Sequence, residues 1–438
     1  MSTPIFRAVS VLTVFSFLLS SPAVAQRSDS VPKHISSRIT LIDTTPDPQL
    51  QLPLPYATKS VDNASQVIGW KDGQLPQAPE GFKVSKFADG FNNPRWIYIG
   101  PNGDVFVSEA ATRPTSANRI TVLRDENKDG VFEVRETFLN GLNRPFGMLI
   151  MGNYFYVANT DGLIRFPYTL GQKKITDKGQ KILELPAGGY NNHWTRNIIA
   201  SADGKKILVS VGSGSNVGEN GMDKEVRRAD ILEIDPDGKE EKIYASGLRN
   251  PVGMDFAPGT NVLWTAVNER DELGDDLVPD YITSVKPGGF YGWPYSYFGQ
   301  HEDPRLKGQR PDLVKQAIIP DIAVGSHTAS LGLAFYKAKA FPEKYRNGVF
   351  VAQHGSWNRS QLSGYKVLFI PFINGKQNGK PEDFLTGFIA DEKTSKVYGR
   401  PVCIAVLPDG SLLVSDDASN VIWQITSEKN NLNRNKYE

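Results

Sequence analysis

Trp96-Ile97-Tyr98-Ile99, then Pro101-Asn102-Gly103-Asp104, then Val105-Phe106-Val107 reads as strand, turn and strand. The phrase recurs along the chain. Met148 to Met151 leads through Gly152-Asn153 into Tyr154-Phe155-Tyr156-Val157, and Asn197 to Ala200 through Ala202-Asp203-Gly204 into Ile207-Leu208-Val209. Val252 to Phe256 leads through Pro258-Gly259 into Val262-Leu263-Trp264. Leu333-Ala334-Phe335 reaches Gly348-Val349-Phe350-Val351 by a longer connection, and Cys403 to Leu407 leads through Pro408-Asp409-Gly410 into Leu412-Leu413-Val414. The leading glycines of Gly90-Phe91-Asn92-Asn93-Pro94, Gly141-Leu142-Asn143-Arg144-Pro145 and Gly247-Leu248-Arg249-Asn250-Pro251 lie 51 and 106 residues apart, which leaves room for a degenerate copy around His193. A repeat of about 40 to 55 residues holding four short strands marks the blades of a propeller. The expected fold is therefore all-β, a six-bladed β-propeller, rather than the three domains that length alone suggests. No amphipathic helical pattern alternates with the strands, which disfavours a parallel α/β fold.

The 438 residues are 39% hydrophobic and 10% aromatic, enough for a large core, and 40 Gly with 29 Pro suit a chain rich in turns. A net charge of +1 gives no sign of a nucleic-acid or polyanionic macromolecular partner. Residues 1–25 read as a signal peptide. Arg7 supplies the n-region, Val9 to Leu19 the apolar h-region, and Ala23-Val24-Ala25 the cleavage site; an uncleaved anchor is the other reading. No other run is apolar for about 18 residues, so no span is expected in the mature protein, which is placed in the periplasm or outside the cell. Cys403 is the only cysteine, so no internal disulfide forms, and it reads as a small core residue. Residues 26–80 are rich in Pro, Ser and Thr and form an extended arm. The propeller domain occupies 81–427, and 428–438 is a polar tail.

The loops entering the innermost strands of a propeller share one mouth of the central channel. In chain order they carry Arg95; Arg144; His193 and Arg196; Arg249 and Asn250; and Arg400, with His354 to Arg359 following a strand of the fifth copy. One such Arg reads equally as a solvated cation at a blade edge. Several around one pore repel each other and call for a counter-charge, and a planar polycarboxylate fits the guanidinium fork.

With these positions in hand, residues 81 to 427 resemble the glucose/sorbosone dehydrogenase family, soluble propellers that use pyrroloquinoline quinone, with the sorbosone dehydrogenase-like members as the nearest subgroup. The resemblance rests on Gly247-Leu248-Arg249-Asn250-Pro251, Gly288-Gly289-Phe290-Tyr291-Gly292-Trp293-Pro294, His354-Gly355-Ser356-Trp357-Asn358-Arg359 and His193-Trp194-Thr195-Arg196. It implies oxidation of a sugar, sugar aldehyde or polyol by hydride transfer to the quinone, and an external electron acceptor. It implies His193 as general base, an unperturbed His pKa of about 6.5 suiting that work; His327 and His354 are rival bases. Arg249 is expected to stabilise the oxyanion that forms on the quinone. Arg95, Arg196, Asn250, Trp357, Arg359 and Arg400 are expected around the cofactor, Trp357 being open to a packing role instead.

The same resemblance implies a calcium ion held largely by backbone carbonyls at Asn268-Glu269-Arg270-Asp271. Glu269 or Asp271 could bind directly, while Arg270 must point away; the run on to Asp276 reads equally as a solvated loop. Spacing alone marks a second calcium candidate, since Asp125, Asn127, Asp129, Glu133 and Glu136 fall at loop positions 1, 3, 5, 9 and 12 with Gly130 at 6; an acidic turn without metal is the other reading. Two other functions compete. A calcium lactonase or hydrolase would need a central acid and amide cage, to which Glu109 and Asn268 could contribute. A non-catalytic binding propeller would need no quinone.

Overall fold

The structure, a computed structural model, describes residues 50–112 and 115–428. The signal-peptide reading, the first part of the arm and most of the polar tail lie outside the described residues. Among the described residues, six sheets of four or more strands follow one another along the chain, antiparallel except where Ala245 and Ser246 pair in parallel with Gly289–Phe290. Each opens with the two strands of one recurring phrase: Pro94–Ile99 with Val105–Glu109, Met148–Met151 with Tyr154–Asn159, Arg196–Ala200 with Ile207–Val211, Asn250–Phe256 with Leu263–Asn268, Ser330–Phe335 with Gly348–Gln353, and Pro401–Val406 with Leu412–Asp416. The last sheet takes its outer strand from the start of the domain: Phe82–Ala88 pairs antiparallel with Val421–Ser427, Phe82 opposite Ser427. That pairing ties the two ends of the domain together.

The first strand of each sheet touches the first strands of the sheets before and after it, and the first sheet meets the last, so the six sheets close into a ring. Second strands are covered on both faces, which is why Val105-Phe106-Val107 shows no polar alternation: all three are fully buried. Phe106 packs its ring against Phe138 and Phe155, the latter from the next sheet, at 4.8 and 4.9 Å. Each fully buried side chain of this size stabilises by about 1.5 to 3 kcal/mol, and Phe106→Ala would cost about 3 to 5 kcal/mol through the cavity it leaves. The inner strands approach so closely that a Cβ at Gly253 would stand 2.5 Å from both the carbonyl oxygen of Leu331 and the nitrogen of Leu333. Cys403 is buried, and burial pushes its thiol up to about 12, in keeping with a core residue.

The described part of the arm is packed on the ring. Gln66–Val67 pairs in parallel with Lys396–Val397. The Trp70 indole donates to Asp416 at 2.8 Å and lies against Phe388, Tyr398 and Trp423. Among the described residues no helix is long and apolar enough to cross a membrane.

Candidate active site

In an antiparallel pair the first strand begins where the second ends, so two sets of loops, before the first strands and after the second, share one end of the ring. The first set delivers Arg144, His193, Arg249, His327 and Arg400, with Arg95 at the start of strand Pro94–Ile99; the second delivers Ser213, Glu269 to Asp271, His354 and Asp417.

His193 is held by the loop after the second strand of its own sheet. Its Nδ1 lies 2.9 Å from both the carbonyl oxygen and the hydroxyl of Ser213, and that hydroxyl donates onward to the Ser215 carbonyl at 2.7 Å. A carbonyl only accepts, so Nδ1 carries the proton and Nε2 presents a lone pair. Among the described residues no protein group bonds Nε2. Burial, then the nearby Arg249 charge, lowers the His193 pKa to about 3, so the ring is neutral at physiological pH. Gly212 makes room for this arrangement: a Cβ there would stand 2.6 Å from the His193 Cβ and collide with Asn250 Oδ1. Asn250 is 5% exposed, and its Oδ1 is buried without a partner.

Arg249, 2% exposed, is fully engaged. Nε donates to the Asn216 carbonyl at 3.1 Å, one terminal nitrogen to the carbonyls of Asn268 and Glu269, and the other to Asn216 Oδ1 at 2.8 Å and Asp271 at 3.1 Å. In this conformation no N–H remains for the direct quinone contact expected from the sequence; Arg249 orders Asp271 and sets the potential at His193. The other oxygen of Asp271 faces His327 Nδ1 at 3.3 Å, and His327 Nε2 meets the Gly274 carbonyl at 2.8 Å. Both His327 nitrogens face acceptors, so its pKa is raised even though burial opposes this, and no nitrogen is left to act as base.

Arg95 donates to Asp417 at 2.5 Å and lies over the Trp194 ring at 5.3 Å, with its Nε buried and unpartnered. His354 Nε2 lies 2.8 Å from the other Asp417 oxygen. Burial opposes ionisation of Asp417, but His354 and Arg95 outweigh it and hold the carboxyl well below its usual range. Burial, then Arg400, lowers His354 to about 4. Arg400 donates to the carbonyls of His354 and Gly355 at 2.9 and 2.8 Å and pairs with no carboxylate. Arg95 and Arg249 thus pair with Asp417 and Asp271, while the Arg400 guanidinium bonds only carbonyls among the described residues, with the buried Asp416 carboxyl on its backbone amide.

Two residues expected at the cofactor, Arg196 and Arg359, have their guanidiniums bonded to protein groups here, and a third, Trp357, leaves its indole exposed. Arg196 is fully buried beneath the His193 loop and donates to the His193, Thr195 and Pro186 carbonyls. Arg359 binds the Asp275 carbonyl at 3.0 Å and Asp276 at 2.6 Å. Trp357 is 44% exposed, and its carbonyl accepts from Asn63 of the arm. Between them, Asn358 Oδ1 accepts from the Glu272 amide at 2.8 Å, while its nitrogen donates to Ser60 and Val61. The 356–360 turn and the arm therefore clamp the loop that carries Asp271.

Among the described residues no three His, Cys, Asp or Glu side chains are grouped to hold a metal. Arg270 does point away, fully buried between Glu269 at 2.9 Å and Asp303 at 3.1 Å. Glu269 keeps one buried, unpartnered oxygen, Oε1. At the second calcium candidate, Asp125 accepts from the amides of Asp129 and Gly130, Asn127 from that of Asp129, and Asp129 from that of Val131. These oxygens cap their own turn, and Glu136 sits on strand Val134–Leu139 opposite Val122. The hydrolase cage does not form either: Glu109 is taken by Arg119 and Thr121, and the Asn268 amide by Ser330.

Sequence reasoning passed over Ser213, Asn216 and Asp417. The signal was present: Ser213 and Asp417 follow the second strands of the third and sixth phrases, as His354 follows that of the fifth.

A closed ring of sheets with cationic and imidazole groups gathered at one end defines a β-propeller with a polar central site. Residues 74–434 match the family described as a domain of unknown function (DUF7133), and the chain belongs to that family. It is 31% identical over 365 residues to an uncharacterized protein of Borreliella burgdorferi, covering 81% of this chain and 91% of that one. It is 28% identical to the aldose sugar dehydrogenase YliI of Escherichia coli over 39% of this chain, a match that spans about half, 47%, of that enzyme. The holo pyranose dehydrogenase PQQ domain of Coprinopsis cinerea shares the fold, with a TM-score of 0.67 at 20% identity over 82% of this chain and 98% of that one. The last two are named as sugar dehydrogenases, the class that the sequence motifs resemble, and the second of them as a PQQ domain.

Proposed function

We propose that the six sheets are the blades of a six-bladed β-propeller, and that the protein is an oxidoreductase passing hydride from a sugar, sugar aldehyde or polyol to bound pyrroloquinoline quinone. The observation that carries this reading is His193: a neutral imidazole of fixed tautomer, with no protein group on Nε2 among the described residues, set near the guanidiniums of Arg249 and Arg196. The residues present fit a planar polycarboxylate. Arg95 Nε–H and Arg400 have donors to spare for carboxylates, while Asn250 Oδ1, likewise without a partner, can only accept a hydrogen bond. When bound, the quinone supplies the hydride acceptor.

The chain's own residues handle the proton. His193 Nε2 takes the proton of the substrate O–H as hydride leaves carbon, and the Ser213 carbonyl, already bonded to Nδ1–H, stabilises the imidazolium that forms. Asp271, held by Arg249 and His327, offsets that new charge. Calcium belongs to the expectation from resemblance, but these residues do not offer it a cage: the Asn268 and Glu269 carbonyls accept from Arg249, so a guanidinium stands where the dication was expected. Export to the periplasm or medium, by way of residues 1–25, completes the reading, with an external acceptor reoxidising the cofactor.

The test is reconstitution. Purified protein is titrated with quinone, with and without calcium, and assayed for dye-linked oxidation of a panel of aldoses, sugar aldehydes and polyols. Quinone-dependent oxidation is expected. Full activity without quinone, or lactone hydrolysis in its place, overturns the proposal.

A further inference from the structure

Behind the His193 loop, two guanidiniums are buried with too little negative charge around them. Arg196 is fully buried, and Arg228 is 5% exposed. Both reach the same neutral acceptor, Asn191 Oδ1, Arg228 at 2.7 Å and Arg196 at 3.5 Å. The remaining partners of Arg196 are the His193, Thr195 and Pro186 carbonyls, and Asn191 is the one acceptor recorded for Arg228 among the described residues. On each side chain the Nε–H is buried and unpartnered. The nearby acid, Glu225, spends its oxygens on the Gly214 amide at 2.7 Å and on the Ser215 hydroxyl, and forms no ion pair with either Arg. Asp230, two residues beyond Arg228, forms no ion pair with either Arg among the described residues, and burial pushes its carboxyl up to about 8, toward the neutral form.

Arginine does not shed its proton in proteins, so the charge has to be balanced from outside the side chain. Two guanidiniums against one carboxylate leave a surplus of one positive charge, and two buried N–H donors lack an acceptor. Buried charge and buried donors of this kind are met by a counter-ion or by water. We propose that Arg196 and Arg228 hold a small monovalent anion of halide size, bonded by their two Nε–H groups. The site is separate from the quinone site and does not depend on the reading of it. Because Arg196 also binds the His193 carbonyl, an anion there braces the loop that carries His193.

Two measurements on the quinone-free full-length protein test the proposal. Crystals soaked in sodium bromide should show an anomalous peak within about 3.5 Å of both Nε atoms. In solution, Tm should be higher in bromide than in methanesulfonate at equal ionic strength, by about 3 °C when bromide exceeds Kd roughly a hundredfold. Arg228→Gln should abolish the bromide increment. Should that variant fail to fold, Arg228→Lys keeps the charge, lacks the Nε–H, and should weaken the increment. A water and no anomalous peak between the two side chains, or an equal bromide increment in the variants, overturns the proposal.

Discussion

Gly212→Ala tests whether the close approach of His193 and Asn250 is what makes the site. An added methyl would lie 2.6 Å from the His193 Cβ and 3.2 Å from the Asn250 Cγ, and would collide with Asn250 Oδ1. Carbon atoms in contact settle at about 3.5 to 4.0 Å, so His193 has to retreat by about 1 Å. It cannot do so freely, because its Nδ1 is bonded to Ser213, the residue next to the substitution. Gly212 is not in the left-handed region, so the backbone itself accepts alanine. The cost to stability is then that of overpacking, about 1 to 3 kcal/mol, and the fold survives. Catalysis suffers more, since a displacement of about 1 Å at a reacting group can cost about 100-fold in rate. Quinone-loaded variant and wild type are compared for dye-linked kcat, for quinone affinity by absorbance titration, and for Tm. Gly188→Ala serves as control, since a Cβ there meets nothing within 4 Å. Unchanged turnover and Tm in Gly212→Ala would refute the geometry.

Three other outcomes are expected. His193→Ala should bind quinone nearly as well as wild type and lose roughly 100- to 10,000-fold in rate; if His354→Ala abolishes turnover with cofactor bound while His193→Ala does not, the base is His354. Burial depresses His193 to about 3 and His354 to about 4 from 6.5, so the unfolded chain takes up more protons below pH 6.5. Their contribution to stability is whole above that pH and is lost on acidification toward pH 4, at most about 1.4 kcal/mol per pH unit per site. Asp230, Asp280 and Asp416, raised to about 8, 6 and 6, act in the opposite sense, so the readout is a comparison: between pH 7 and 5 the urea midpoint of His354→Gln should fall less than that of wild type. Asn358→Ala removes the acceptor of the Glu272 amide and two bonds to the arm, and should cost about 1 to 3 kcal/mol. It should also speed proteolytic cleavage between residues 271 and 276 and weaken quinone binding; unchanged protection there would show that the arm does not hold this loop.

The sequence by itself determined the repeat. Strand, turn and strand are local signals, set by apolar residues at spacings a short segment can satisfy, and all six phrases became the opening strands of the six sheets. It also placed His193, Arg249, Asn250 and Arg400 at one end of the ring, because topology alone puts the loop before a first strand there, and His354 with them, because the loop after a second strand shares that end. Partners were another matter. Whether a guanidinium meets a ligand or a neighbour depends on residues far away in the chain: Arg249 meets Asp271 and Asn216, Arg95 meets Asp417 across 322 positions, and Arg359 turns to Asp276. The spacing of a calcium loop at Asp125 did not reveal which amides its oxygens accept from, since that depends on how the turn closes. The tautomer of His193 was likewise invisible until Ser213 came to rest beside it. Charge type and order are written along the chain, whereas pairing is decided by which loops the closed ring brings within about 3 Å of one another.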